Sequence, residues 1–256
     1  MIGNANSGND IAAQLAPVVA PPLYRSIRRP NMHWFPLVPH PNIKDSAPVV
    51  KYSLVGNKAT LHLEDGTEVA DIDHVFLGTG YQMLAKFIHV LDEETGKLKP
   101  LCEPPTEPPR IPNLHRYILY APNPTLAFQG VLASAIPFTL GDLSSTWLAL
   151  AWTSSLIYPT DMSALLACEK ARLDQVEAIR GSMENPTSLI VYHILAPEEL
   201  PYARSLWEDV VNVRPELASV LQEWNDGMWE EKEGMFGLRT EVMNKEAERG
   251  NPWLGK

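Results

Sequence analysis

Residues 2–8 read IGNANSG and run directly into NDIAAQLA. Gly3-x-Ala5-x-x-Gly8 is a variant of the G-x-G-x-x-G turn that joins a strand to a helix and takes a pyrophosphate. The first glycine permits the tight turn. The middle position must be small so that backbone can approach phosphate, and Ala5 is a tolerable substitute. The last glycine lets the helix pack close to the sheet. Asn6 and Ser7 fill the turn, and Ser7 adds a hydroxyl donor. Asn9 and Asp10 are expected to open the helix, whose free N–H groups and dipole favour an anion. Ile11, Ala12 and Leu15 continue the helical spacing, and Pro17 marks its end. Over these residues alone, an ordinary glycine-bearing loop before a helix remains an open alternative.

The next segment narrows the choice. Leu23–Ile27 is strand-like and is followed by Arg28 and Arg29, with Arg28 twenty residues beyond Gly8. At that distance a dinucleotide domain holds the ribose of its cofactor. A carboxylate there suits NAD, whereas an arginine accommodates the 2′-phosphate of NADP. Ser26, Arg28 and Arg29 stand there with no carboxylate, and planar guanidinium donors match phosphate oxygens. Two solvated surface arginines are the blander reading.

Charge supports a nucleotide site at this end. Residues 1–60 carry six basic and two acidic residues, against fifteen and twenty-nine in the remainder, within a net charge of −10. No broad basic stripe exists for nucleic acid. Cys102 and Cys168 lie far apart without metal-ligand spacing, which suits free thiols in a reduced compartment. His33 and His40 share a proline-rich loop but have no ligand-spaced companions, so no metal site is expected. No apolar run is long enough to span a bilayer, and no signal peptide is evident. The expected location is cytoplasmic, with peripheral membrane association left open.

Further along, 30–48 reads as a proline- and aromatic-rich loop. Val49–Val55 and Ala59–Leu63 read as strands around Gly56-Asn57, with a hairpin turn at Asp65-Gly66. Ile72, Val75, Phe76 and Leu77 suggest a buried strand ending in Gly78-Thr79-Gly80-Tyr81. Glycines at the carboxyl end of a strand keep side chains away from a flat ligand. Residues 92–112 read as a proline-rich linker. Arg116–Tyr120 and Thr125–Phe128 read as short strands. Residues 142–157 suggest a helix capped by Asp142 or Ser144. Helices are expected over Thr160–Arg180, Pro197–Val213 and Pro215–Trp229, with a charged tail fraying from Glu230.

Together the segments IGNANSGNDIAAQLA, YRSIRRP, DHVFLGTGYQ and NLHRYILYAPNPTLAFQG resemble, in order and spacing, the C-terminal half of a flavin-containing monooxygenase of the dimethylaniline-monooxygenase-like, fungal type. The resemblance covers roughly the first 150 residues. It implies an α/β fold: a Rossmann-type NADP-binding segment over 1–80 with its first strand truncated, a returning segment of an FAD-binding domain over 81–158, and a helical C-terminal tail over 159–256. Gly3, Ala5, Ser7 and Gly8, with Asn6 between them, then face the NADPH pyrophosphate. Arg28, with Arg29 beside it, faces the 2′-phosphate, and Gly78, Thr79, Gly80 and Tyr81 stand where the chain returns to the FAD domain. The implied cofactors are NADP and FAD. The implied reaction is NADPH-dependent oxygenation of an amine or sulfide, with the flavin carrying the chemistry and no catalytic side chain required.

The sequence also departs from the family pattern. The N-terminal FAD fingerprint and the F-x-G-x-x-x-H signature are absent, and Ala133 stands where a flavin-side glutamine is expected. The expectation is therefore an incomplete monooxygenase, with the FAD-binding half as a partner. The alternative is a non-catalytic NADP-binding or partner-binding remnant. A flavin-free reductase would need a Tyr-x-x-x-Lys dyad, which neither Tyr81 nor Tyr117 supplies.

Overall fold

The computed structural model describes residues 1–29, 39–80, 83, 85–92, 95–102, 106–134, 136–184, 186 and 191–249. The stretch 30–38, with His33, and Tyr81 lie outside them. The fold is mixed helix and strand, in two compact units. The first comprises Met1–Tyr81, Asn185–Leu189 and Glu233–Lys256; the second, Gln82–Glu184 and Ile190–Lys232.

In the first unit, helix α1 (Asn6–Leu15) follows the glycine turn. It begins three residues earlier than the sequence suggests, because Ala5 adopts the extended conformation of an N-cap and Gly8 falls inside the first turn. Strand β1 (Leu23–Ser26) pairs in parallel with β2 (Ile43–Ser46). That pairing corrects the reading of 30–48 as loop throughout: Ile43–Ser46 lies alongside β1 from end to end, where register and not composition decides its state. On the other side of β1, Ile2 bridges in parallel to both Ser26 and Leu77. The ribbon order is thus β2, β1, Ile2, Leu77.

The antiparallel meander β3 (Val49–Val55), β4 (Lys58–Leu63) and β5 (Glu68–Ile72) completes this unit's sheets. Gly56 takes φ +61° at the first turn. At the second, Asp65 accepts bonds from the Thr67 amide (3.0 Å) and hydroxyl (2.7 Å). Leu61 and Leu63 are the buried residues of β4. The expected buried strand through Leu77 is different. Ladder pairing shrinks to the single bridge at Leu77, and Phe76 and Leu77 are 45% and 69% exposed.

The second unit is organised by large side chains. Strands β6 (His89–Asp92) and β7 (Lys97–Pro100) form a hairpin, and Leu101, Cys102 and Ile111 are buried beyond it. The segment 92–112 is therefore structure and core as well as linker, since apolar residues between the prolines find partners in Ala85, Leu114 and Tyr120. Strands β8 (Leu114–His115) and β9 (Leu119–Tyr120) pair around Arg116 and Tyr117, both at positive φ. A left-handed turn replaces the first half of the expected Arg116–Tyr120 strand, and Ala127 meets Leu119 by one bridge.

Helix α2 (Pro137–Trp152) starts and ends five residues before the expected 142–157. Pro137 supplies a preset φ in the first turn, so Asp142 and Ser144 lie in the helix interior and not at its cap. Helix α3 (Met162–Gly181) is capped by Asp161, whose carboxylate accepts from the Ala164 amide at 3.0 Å. Helix α4 (Glu199–Val213) buries Ala203, Leu206 and Val210, a stripe at helical spacing. It packs with α2 around Leu143, Trp147 and Trp224.

The expected Pro215–Trp229 helix is broken. Pro215–Ser219 is a 3₁₀ segment, and α5 (Asp226–Arg249) begins afresh. The expected frayed tail is helical to Arg249. Lys245 and Glu241 pair one turn apart, and Arg239 binds Asn6 and Asp10. No described helix is long and apolar enough to cross a membrane.

Candidate functional site

The two glycine motifs, seventy residues apart, meet backbone to backbone. Gly3 takes φ +105°, and a Cβ there would lie 2.3 Å from the Gly78 carbonyl oxygen. A Cβ on Gly8 would lie 2.6 Å from the Gly3 oxygen, and one on Gly78 would lie 3.0 Å from the Gly8 Cα. Each glycine therefore occupies space that any side chain would fill. Hydrogen bonds lock the arrangement: the Gly3 amide donates to Ser26 (3.1 Å), Ile2 to Phe76 (2.8 Å) and Gly78 to Ile2 (2.7 Å).

Around this knot the sequence-selected residues divide. Asn6 and Ser7 are exposed in the first turn of α1, and Ala5 is half-buried before it. Thr79 and Gly80 are exposed at the far end of the Leu77 ribbon, with Gly80 at φ +79°. Arg28 and Arg29 are exposed beyond β1. The Arg29 carbonyl accepts a 3.0 Å bond from the Asn4 side chain, so the arginine pair is tied to the glycine turn through main chain. Ser26 faces elsewhere: its hydroxyl donates to Ala47 and accepts from the Val49 amide, which removes it from the phosphate-binding candidates.

The scaffold beneath was not legible residue by residue. Asn9 is buried; its amide donates to the Asn4 carbonyl (2.8 Å), and its oxygen accepts from Arg25 (3.2 Å). Arg25, 3% exposed, makes a two-pronged contact with Asp45 on β2 (2.7 and 3.2 Å). A buried guanidinium needs such partners, and they fix β2, β1 and α1 together. The only sequence signal is a basic residue in the middle of a short strand-like segment. Arg239 was also unforeseen: it donates to Asn6 Oδ1 (3.0 Å) and pairs with Asp10, bringing a cation to the start of α1.

A second constellation on the meander joins three strands. The Ser53 hydroxyl is 2.8 Å from His62 Nε2, and His62 Nδ1 is 2.8 Å from Glu68. The connectivity is that of a nucleophile–base–acid relay, which the sequence reading did not find. Glu68 is 62% exposed, and none of the three residues lines a described cavity. A relay of this kind needs an oxyanion pocket and exclusion of water, so these contacts act as cross-strand ties.

In the second unit, polar groups serve packing. Arg116 pairs with Asp209, which also accepts from the Trp147 indole at 3.0 Å. Arg110 and the Asn113 amide satisfy Glu169. Burial pushes the Cys168 thiol up, away from the thiolate form that reactive cysteines need. Burial, reinforced by Arg110 and Arg172, lowers His193 to about 4. A cavity of about 100 Å³ is lined by Tyr117, Gln129, Gly130, Ser144 and Tyr202, among others. Among the described residues no cluster of His, Cys, Asp or Glu could hold a metal ion.

Over 162 residues, 61% of its length, the chain is 31% identical to the thiol-specific monooxygenase of Saccharomyces cerevisiae. Over part of its length the chain thus resembles the flavin monooxygenases. It spans 35% of the length of that yeast relative. The fold is similar to the crystal structure of Tmm from a Pelagibacter species, with a TM-score of 0.50 and 20% identity, covering 83% of this chain and 41% of that one. No family model matches. The similarity thus extends over 83% of this chain in fold and over 61% of it in sequence.

Proposed function

We propose that the glycine knot of the first unit binds the pyrophosphate of NADP, and that the chain belongs to the NADPH- and FAD-dependent oxygenation of nitrogen or sulfur nucleophiles. The observation that carries this reading is the interlock of Gly3, Gly8 and Gly78, a cradle that any Cβ would fill, at the start of a helix. Two further features support it. Numbered along the chain, the parallel ribbons run 3-2-1-4, the first four places in the strand order of a doubly wound dinucleotide fold. Arg28 and Arg29 follow the second ribbon, where that fold selects its ribose.

In this reading the exposed N–H groups of Asn6 and Ser7 bind phosphate oxygens, and Ala5 leaves room for their approach. Arg28 and Arg29 take the 2′-phosphate. Thr79 and Gly80 stand where the chain returns toward the FAD side. Arg239 holds Asn6 and neutralises Asp10, which keeps that carboxylate from repelling the ligand. The returning segment over 81–158 contributes to the FAD side. Flavin, when bound, supplies the oxygen chemistry; this chain's residues bind and orient.

Titration calorimetry tests the proposal. NADP⁺ is expected to bind more tightly than NAD⁺, and Arg28→Ala to weaken NADP⁺ about tenfold or more while leaving NAD⁺ unchanged, as loss of a charge-assisted phosphate contact requires. Equal affinity for both nucleotides, or no binding by a folded chain, would overturn it. A second reading is a nucleotide- or partner-binding protein without oxygenation, which the open apolar cavity of the first unit favours. It predicts NADP⁺ binding with no NADPH oxidation when FAD is added.

A further inference from the structure

Helix α1 opens without a side-chain cap. Ala5 holds the capping position, and among the described residues nothing accepts from the Asn6, Ser7 and Gly8 amides. Asn6 is exposed in that turn, and its side-chain amide has two unlike ends: Nδ2 carries two N–H donors, and Oδ1 only accepts. Arg239, on α5, decides which end is taken. Its Nη1 donates to Asn6 Oδ1 at 3.0 Å, and its Nη2 donates to the Asp10 carboxylate. Among the described residues the Asn6 Nδ2 group has no acceptor, so its two N–H donors are the free end of that side chain. Asp10 is the one acidic residue of α1. Arg239 and Asp10 are 31% and 37% exposed, so solvent screens the pair and its own contribution to stability is small. What the guanidinium fixes is orientation.

We infer that Arg239 is a positioning residue of the nucleotide site: by holding Oδ1 it turns the Asn6 side chain into a phosphate donor beside the first-turn amides. The inference rests on the nucleotide reading and extends it to the C-terminal helix. An amide free to flip would present its oxygen to the ligand, and an oxygen facing an anion repels it. With Oδ1 taken, only donors remain. The planar fork suits the task. Its Nη groups stand in fixed relation and hold two acceptors at once, whereas a lysine is a single point charge. Fastening α5 to α1 needs only the Asp10 contact, whereas the bond to Asn6 bears on what that turn offers a ligand. Linkage makes the effect mutual: a bound phosphate that uses Nδ2 also favours the bond between Arg239 and Asn6.

Calorimetry with NADP⁺ on the full chain, paired with NMR of the Asn6 side-chain amide, tests it. In an Asp10→Asn background, which removes the carboxylate that Arg239 offsets, Arg239→Ala is expected to weaken NADP⁺ about tenfold, as loss of a well-placed donor to a charged group requires. With Asn6→Ala added to that background, Arg239→Ala should have no further effect, because residues that act through one another do not add. NADP⁺ should shift the Asn6 Nδ2–H signals, identified by their loss in Asn6→Ala, and Arg239→Ala should abolish the shift. Unchanged affinity in the Asp10→Asn background would mean that Arg239 only offsets that carboxylate, and would overturn the inference. So would an Asn6 amide that NADP⁺ leaves unmoved, or an equal loss with and without Asn6, which would place Arg239 on the ligand or in the fold. If the unaltered chain binds no NADP⁺, the nucleotide reading fails and this inference with it; if that chain binds and only the Arg239 variants disagree, the nucleotide reading stands.

Discussion

The first unit is held at its site by main chain, the second by side chains. Around Gly3, Gly8 and Gly78 the close contacts are backbone on backbone, and hydrogen bonds from Ile2, Gly3 and Gly78 set their positions. In the second unit, Trp147, Trp224, Leu206 and Val210 are at most 1% exposed, and ion pairs such as Lys232–Glu199 are buried beside them. The difference bears on tolerance. A packed core absorbs a change of shape by local repacking, at a graded cost. A Cβ added at Gly3 would lie 2.3 Å from a backbone oxygen, a clash that rotating a side chain cannot relieve.

Gly3→Ala should have the largest effect. The positive φ and the clash with Gly78 together are expected to cost more than about 3 kcal/mol and to abolish NADP⁺ binding. Circular dichroism melts and calorimetry would read this; a stable, NADP⁺-binding variant would break the comparison. Trp147→Ala should cost a similar 3–5 kcal/mol in denaturant unfolding, through cavity formation and loss of the indole bond to Asp209, with NADP⁺ affinity of the folded protein retained. Loss of affinity in that folded variant would mean that the two regions are coupled.

Lys232→Met leaves Glu199 buried and without its cation, and about 3 kcal/mol of destabilisation is expected. Gly56→Ala sharpens the contrast among glycines. Its φ is also positive but nothing lies within 4 Å of the added Cβ, so only about 1–2 kcal/mol should be lost. The last prediction concerns pH. His193 is depressed to about 4 in the folded chain, from an ordinary 6.5. Between those values the unfolded chain binds more protons, so stability must fall as pH drops from 6.5 toward 4. His193→Gln should flatten that part of a melting-temperature profile; an unchanged slope would assign it to other groups.

How much of this was legible in the sequence depends on which force fixes each piece. Gly3, Gly8 and Gly78 announce themselves because no other residue can stand where they do. The Gly56 and Asp65-Gly66 turns were likewise readable, since local chemistry determines them. The strand at Ile43–Ser46 was not, because its pairing with β1 is long-range and its composition is unremarkable for a loop. Helix α2 was shifted because the cap signals at Asp142 and Ser144 yield to burial of Leu140 and Leu143 within the core. Arg239 reaches Asn6 across 233 positions, and no spacing rule spans such a distance.

The tie between Asn4 and the Arg29 carbonyl has a consequence for how such a protein can change. The main chain beyond β1 is positioned without reference to the side chains it displays, and Ser7, Arg28 and Thr79 all project from a frame that does not need them. Ligand preference is therefore separable from architecture. A lineage, or an experimenter, can rewrite those exposed positions one at a time while the frame that presents them stays intact.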